Sequence, residues 1–327
     1  MVATWQTEAF VPRRGLRGGH VQTLASFFLS RSIPVPPAEE RLIEVEPGVK
    51  VLCHCHWQPD RKNALTILII HGLEGSSDSQ YMLGIAAKGM AAGMNVVRMN
   101  QRNCGGTDAM SPTLYHSGRS QDLAAVAKYL IDRDGLSRLA LAGFSMGGNL
   151  VLKLAGEWGK EGPPQFCAVA AVCPAVDLGP SADALHLPSN RLYEYYFVIR
   201  LRQRLREKAR LFPGQFDVSR LYRVSSLRDF DDKITAYYCG FTGADDYYVR
   251  AAAAPVLDRI AVPTLILHAA NDPFIRILPE TRRKILANPN ITFVETEDGG
   301  HCSFLADPDG DDGHWAERQI LKFFRGF

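Results

Sequence analysis

Short apolar runs recur along the chain, each bounded by turn residues. They are Val49–Trp57, Leu65–Ile70, Asn95–Met99, Leu139–Ala142, Ala168–Cys173, Thr264–His268 and Ile291–Glu295. Most are continuous rather than alternating, as expected of strands buried on both faces of a parallel sheet. Between them lie segments with helical spacing: Tyr81–Ala92, Ser120–Arg133, Met146–Trp158 and His314–Phe324. Strand and helix alternating in this way predict an α/β protein with right-handed crossovers and helices on both sheet faces. No internal repeat or low-complexity segment interrupts the series.

The rhythm breaks once. From about Leu178 to Ala252 no buried strand is legible, and tyrosine, arginine and short helical patterns take over. So long an insertion between strands of a compact domain has structure of its own. It reads as a helical cap, residues 178–252, over the carboxyl ends of the strands, where open α/β sheets place their ligands. The rest of residues 1–327 reads as one domain.

Composition narrows the class without changing it. At 327 residues and 46% hydrophobic the chain can bury a large core, and its net charge of +2 points to no nucleic-acid partner. Seven cysteines with no framework spacing fit a reducing, cytoplasmic setting. The stretch MVATWQTEAFVPRRG has no apolar core of a signal peptide, and no run reaches the length of a membrane span. Peripheral membrane contact stays open.

The strand at Leu139–Ala142 and the helix from Met146 meet in Gly143-Phe144-Ser145-Met146-Gly147, a G-x-S-x-G corner. A serine at such a corner takes a strained backbone conformation, and the crowding around it leaves room only for glycine on either side. Its hydroxyl then stands at a helix N-terminus, where the Met146 N–H and the helix dipole favour a developing oxyanion. A serine needs a base oriented by an acid, and this architecture places them in the order serine, acid, histidine. Of His186, His268, His301 and His314, His301 fits by position, in a glycine loop just after the run Ile291–Glu295. Asp272 follows the run Thr264–His268 and is stiffened by Pro273; Asp177 is the alternative acid. A second oxyanion donor is expected from the loop His71-Gly72-Leu73-Glu74-Gly75, with the Leu73 N–H turned inward.

With these positions placed, the chain resembles the α/β-hydrolases along nearly its whole length. It is similar in particular to the YheT-like esterases of α/β-hydrolase family 4, a group that includes the yeast medium-chain fatty-acid ethyl ester synthase/esterases. The matching stretches are GGHVQTL (18–24), HGLEGSSDSQY (71–81), NQRNCGG (100–106), YHSGRSQDL (115–123), GFSMGGNL (143–150) and DGGHCSF (298–304). The resemblance implies an α/β-hydrolase fold, a mostly parallel sheet of the eight-stranded type flanked by helices. It also implies hydrolysis of short- to medium-chain acyl esters or acylglycerols through a serine triad, with some members transferring the acyl group to alcohols. Eukaryotic relatives often carry an N-terminal membrane anchor, which is not legible in this sequence.

Other features carry less. Cys53-His54-Cys55-His56 lies in an expected strand, where alternate residues face opposite ways and cannot converge on a metal. Asp307–His314 lacks the glycine and glutamate of a calcium loop at the sixth and twelfth positions. Arg200–Arg210 reads as a solvated basic cap helix with Leu201, Leu205 and Phe212 on one face, or as a helix on an anionic membrane surface. His20 and His116 have no assigned role. The sequence thus predicts a serine carboxylesterase using Ser145, Asp272 and His301, with Leu73 and Met146 forming the oxyanion hole. Its substrate is a small acyl ester, and this chemistry requires no metal or cofactor. An acyltransferase using the same triad, or a receptor binding a ligand under the cap, are the rivals.

Overall fold

A computed structural model describes residues 7–29 and 31–327. The N-terminal reading of MVATWQ therefore lies outside the described residues. The chain enters through α1 (Gly19–Phe28) and a hairpin of β1 (Glu39–Glu46) and β2 (Val49–His56). Then β3 (Thr66–Ile70), α2 (Gln80–Ala91), β4 (Asn95–Met99), α3 (Ser120–Asp134), β5 (Leu139–Phe144), α4 (Met146–Trp158) and β6 (Phe166–Val172) alternate.

An all-helical stretch follows, with α5 (Leu178–Leu185), α6 (Arg191–Leu211), α7 (Leu227–Phe230), α8 (Tyr237–Cys239) and α9 (Ala244–Ala251). A π-helical turn at Asp231–Ala236 joins α7 to α8. The chain closes with β7 (Thr264–Ala269), α10 (Pro279–Ala287), β8 (Ile291–Thr296) and α11 (Trp315–Phe324).

The eight strands form one sheet in the order β1-β2-β4-β3-β5-β6-β7-β8. From β4 to β8 every pairing is parallel, while β1 and β2 add an antiparallel edge. The two-residue period of the strands divides the core. Leu68, Ile70, Val97 and Leu141 face α3 and α4 on one side, through Leu123, Val126 and Leu150. Ile67, Ile69, Val96 and Ala142 face α2 and α11 on the other, through Met82, Ile85 and Ile320. The apolar residues of central β3 are fully buried, each removal from water contributing roughly 1.5–3 kcal/mol.

The helical stretch has its own apolar cluster, in which Leu185, Leu201, Leu205, Phe230 and Tyr248 pack with Phe274 from the loop after β7. Among the described residues, no helix is long and apolar enough to cross a membrane.

The basic helix differs from the sequence reading. Leu201 and Leu205 are buried as expected, but Lys208 of α6 is fully buried as well and the Arg204 side chain is only 13% exposed. Arg204 forks onto Glu74 at 2.8 and 3.0 Å and reaches Asp108 at 3.0 Å. The Lys208 ammonium donates to the carbonyls of Asp108 and Ser111. The helix is therefore pinned to the loops after β3 and β4 rather than solvated all round.

Candidate active site

The parallel strands deliver their loops to one edge of the sheet. Ser145 follows β5, Asp272 follows β7, His301 follows β8 and Leu73 follows β3. Ser145 has φ 55° and ψ −119°, a left-handed conformation that a non-glycine residue holds only when its surroundings enforce it. Its N–H donates to Val172 O at 2.9 Å, and its carbonyl accepts from Asn149 N at 3.1 Å. A Cβ on Gly143 would strike the backbone of Gly147 and lie 2.7 Å from Gly148 N; one on Gly147 would strike Ile70 O and lie 2.6 Å from His71 O. These contacts explain both flanking glycines: the turn is too tight for any side chain.

The three candidate residues come together. His301 Nε2 lies 2.9 Å from Ser145 Oγ, and His301 Nδ1 lies 2.8 Å from Asp272 Oδ2. The other Asp272 oxygen accepts the N–H groups of Phe274 (3.0 Å) and Ile275 (2.9 Å). Burial works against the Asp272 carboxylate, but His301 and these amides outweigh it and hold its pKa below the usual range. Burial likewise opposes the imidazolium of His301, yet Cys302 and Asp272 beside it raise its basicity above that of an ordinary imidazole. The His301 backbone N–H donates to Thr23 Oγ1 of α1 at 2.8 Å, and the ring packs on Phe274 with centroids 4.3 Å apart. Helix α1, which the sequence reading did not identify, thus helps to hold the histidine loop.

The loop after β3 is built on buried polar contacts. His71 is fully buried, which depresses its pKa to about 4 and keeps it neutral. Its Nδ1 lies 2.8 Å from Gly72 O, and its Nε2 accepts from Gln101 N at 3.1 Å. Gly72 donates to Tyr81 Oη at 2.9 Å. Leu73 lines both cavities that open on Ser145, and Met146 lines the smaller. Glu74, directly after Leu73, sits at φ 55° with its carboxylate buried between Tyr115 Oη (2.6 Å) and the Arg204 fork. The sequence reading missed this clamp, and also Asn149. That side chain donates to Ser117 O and Ala251 O and accepts from Ala253 N, tying α4 to the end of the helical stretch.

The remaining candidates lie elsewhere. Asp177 accepts from Leu278 N and Thr281 Oγ1, anchoring α10. His186 is exposed and pairs with Glu194 at 2.9 Å. His268 is buried in β7, and His314 lies 3.8 Å from Glu317. His20 stacks on Tyr193, while burial depresses the pKa of His116 to about 3. In β2, Cys53 and Cys55 point into the core with Val51, and His56 accepts from Arg98 Nε. Asp311 and Asp312 of the acidic loop pair with Arg318 and Lys88.

Ser145 stands where two cavities meet. One, of about 100 Å³, is lined mainly by apolar residues of the helical stretch, among them Leu178, Leu201 and Phe230. The other is a groove of about 820 Å³ lined by His301, Cys302, Phe27, Tyr196 and Phe197.

The profile of the alpha/beta hydrolase fold matches residues 66–308. The chain belongs to the α/β-hydrolase family. The hydrolase is 30% identical over 302 residues to the Escherichia coli (strain K12) protein named "Putative esterase YheT", covering 90% of this chain and 87% of that one. It is 29% identical over 311 residues to the phospholipase ABHD3 of Homo sapiens, covering 91% and 74% respectively. Among solved structures, 2,6-dihydroxy-pseudo-oxynicotine hydrolase superposes with a TM-score of 0.59 at 17% identity, over 93% of this chain and 71% of that one. The hydrolase is thus an ester hydrolase of the esterase and lipase type, within the YheT-like group.

Proposed function

We propose that this hydrolase cleaves short- to medium-chain carboxylic esters by way of an acyl-enzyme on Ser145. His301 takes the serine proton as Oγ attacks the ester carbonyl, and Asp272 orients the ring and stabilises the imidazolium. The N–H groups of Leu73 and Met146 hold the tetrahedral oxyanion. His301 then protonates the leaving alcohol, and a water molecule activated by the same ring releases the acid. The observation that carries this reading is the continuous relay from Asp272 through His301 to Ser145, at 2.8 and 2.9 Å.

The two cavities supply a division of labour. The leaving oxygen must lie within reach of His301 Nε2, and His301 lines the groove but not the smaller cavity. The alcohol part therefore occupies the groove, and the acyl chain enters the smaller space beneath residues 178–252, which act as a cap. Phe27 and Phe28, 59% and 75% exposed near the groove, fit the approach of an apolar ester or a lipid surface. The free state of all the cysteines accords with a reducing, cytoplasmic setting.

The test is hydrolysis of p-nitrophenyl esters of rising acyl length by wild type and by Ser145→Ala. The reading expects turnover with a maximum at short to medium chains in wild type, and a loss of several orders of magnitude in the variant. Equal rates in the two proteins, or no ester cleaved at any length, would overturn it.

A further inference from the structure

We infer that Cys302 and Cys173 form an oxidant-sensitive modification site, in which peroxide converts the two thiols to a disulfide that displaces His301. Cys302 follows His301 directly, and its Sγ lies 3.9 Å from His301 Nε2. Cys173 directly follows β6. The Cys302 N–H points at Cys173 Sγ at 3.4 Å, and both sulfurs and a nitrogen of His301 lie within 4.8 Å of one another. A disulfide holds its sulfurs at about 2.05 Å, so bond formation draws the two chain segments towards each other.

Access divides the roles. Cys302 lines the large groove and is partly exposed, whereas Cys173 is fully buried. The peroxide can therefore reach Cys302 and not Cys173. Burial raises the Cys302 thiol, but its hydrogen bond with Cys173 and the neighbouring imidazole outweigh that and bring it down to about 6. The other six cysteines are pushed up by burial, Cys55 and Cys104 to about 12. Reactivity thus concentrates at one sulfur with a resolving thiol beside it.

In the first step the Cys302 thiolate attacks one peroxide oxygen. An S–O bond forms, the O–O bond breaks, and the departing hydroxide takes a proton to become water. The sulfur is oxidised by two electrons and the peroxide is reduced. In the second step Cys173 attacks the sulfenic sulfur. The S–S bond forms, the S–O bond breaks, and hydroxide leaves as water with the proton from the Cys173 thiol. Two thiols and one peroxide yield one disulfide and two waters.

The consequence follows from backbone geometry. Cys173 and Cys302 both hold left-handed conformations, at φ 41° and 60°, so neither segment has slack. Drawing Cys302 towards Cys173 pulls the adjacent His301 from Ser145. A misplacement of about 1 Å can cost on the order of a hundredfold in rate. This loss rests on the proposed role of His301; the disulfide itself does not.

The experiment treats purified wild type with hydrogen peroxide, then with dithiothreitol, and follows both peptide mass and ester hydrolysis. The expected result is a Cys173–Cys302 cross-linked peptide, lighter by two hydrogens than its two free peptides. It comes with a loss of activity that dithiothreitol restores. Cys302→Ser keeps its own untreated rate after peroxide. Cys173→Ser, with no resolving thiol, gives no cross-link; a second peroxide carries its Cys302 sulfenic acid on to the sulfinic acid, with water released, and dithiothreitol does not reduce that product. No cross-linked peptide, or one joining other cysteines, would overturn the site. A cross-link without loss of rate in an enzyme that hydrolyses esters would overturn its effect on His301. The wild-type peptide map decides the site even if a variant fails to fold or no ester is turned over.

Discussion

Replacing Asp272 by asparagine isolates the orienting carboxylate from everything else at the site. Asp272 is 3% exposed and divides its oxygens between two tasks. Oδ1 accepts the Phe274 and Ile275 amides, and Oδ2 faces His301 Nδ1. In Asp272→Asn the amide oxygen can keep the two backbone bonds, so the loop stays in place. The NH2 group then faces Nδ1, which must become an acceptor. A neutral imidazole accepting at Nδ1 carries its proton on Nε2, the nitrogen 2.9 Å from Ser145 Oγ, and cannot take the serine proton. This wrong tautomer is expected to lower kcat about 10⁴-fold, or about 5.5 kcal/mol of barrier. KM should move little, because Asp272 lines neither cavity. The assay is steady-state hydrolysis of a p-nitrophenyl ester, with circular dichroism and Tm to establish that the fold is kept. A folded Asp272→Asn enzyme within tenfold of the wild-type kcat would refute the reasoning.

Asp177→Asn is the companion control: it should leave kcat nearly unchanged and cost about 1 kcal/mol of stability in urea unfolding, since its partners are Leu278 N and Thr281. Gly147→Ala places a Cβ against Ile70 O and His71 O, so the variant should lose roughly 1–3 kcal/mol of stability, read by thermal unfolding, and most of its activity. Arg204→Ala leaves the Glu74 carboxylate buried beside the Leu73 loop; it should destabilise by roughly 3–5 kcal/mol and lower kcat, whereas Arg204→Lys should recover part of the stability. The base must be neutral to act and its pKa is raised, so kcat/KM should climb with pH through a midpoint above the ordinary imidazole range. Cys302→Ala, which removes one of the groups that raise it, should move that midpoint to lower pH.

The sheet was legible because its central strands are buried on both faces and read as unbroken apolar runs. Its edge was not. β1 reads EERLIEVE, with only Arg41 and Ile43 buried, and its acidic positions hide the alternation. α10 escaped notice for a similar reason: PETRRKILA buries only Thr281 and Ile285. The corner at Ser145 was readable because backbone crowding imposes glycine at fixed offsets. The loops carrying Asp272 and His301 could be located from the strands that precede them. What local pattern cannot reveal is pairing at a distance. Arg204 and Glu74 lie 130 residues apart, and nothing near Arg204 distinguishes it from the exposed arginines of the same helix. The placement of Cys173 beside Cys302 is likewise a product of the sheet order, since adjacent β6, β7 and β8 bring their following loops together.

The central claim is that Ser145, activated by His301, is the nucleophile. Reaction with a fluorophosphonate followed by peptide mass spectrometry tests it most directly. The account predicts a single covalent adduct on the peptide containing Ser145, absent in Ser145→Ala and formed far more slowly in Asp272→Asn. An adduct on another residue, or a folded wild-type protein that remains unlabelled, would contradict it.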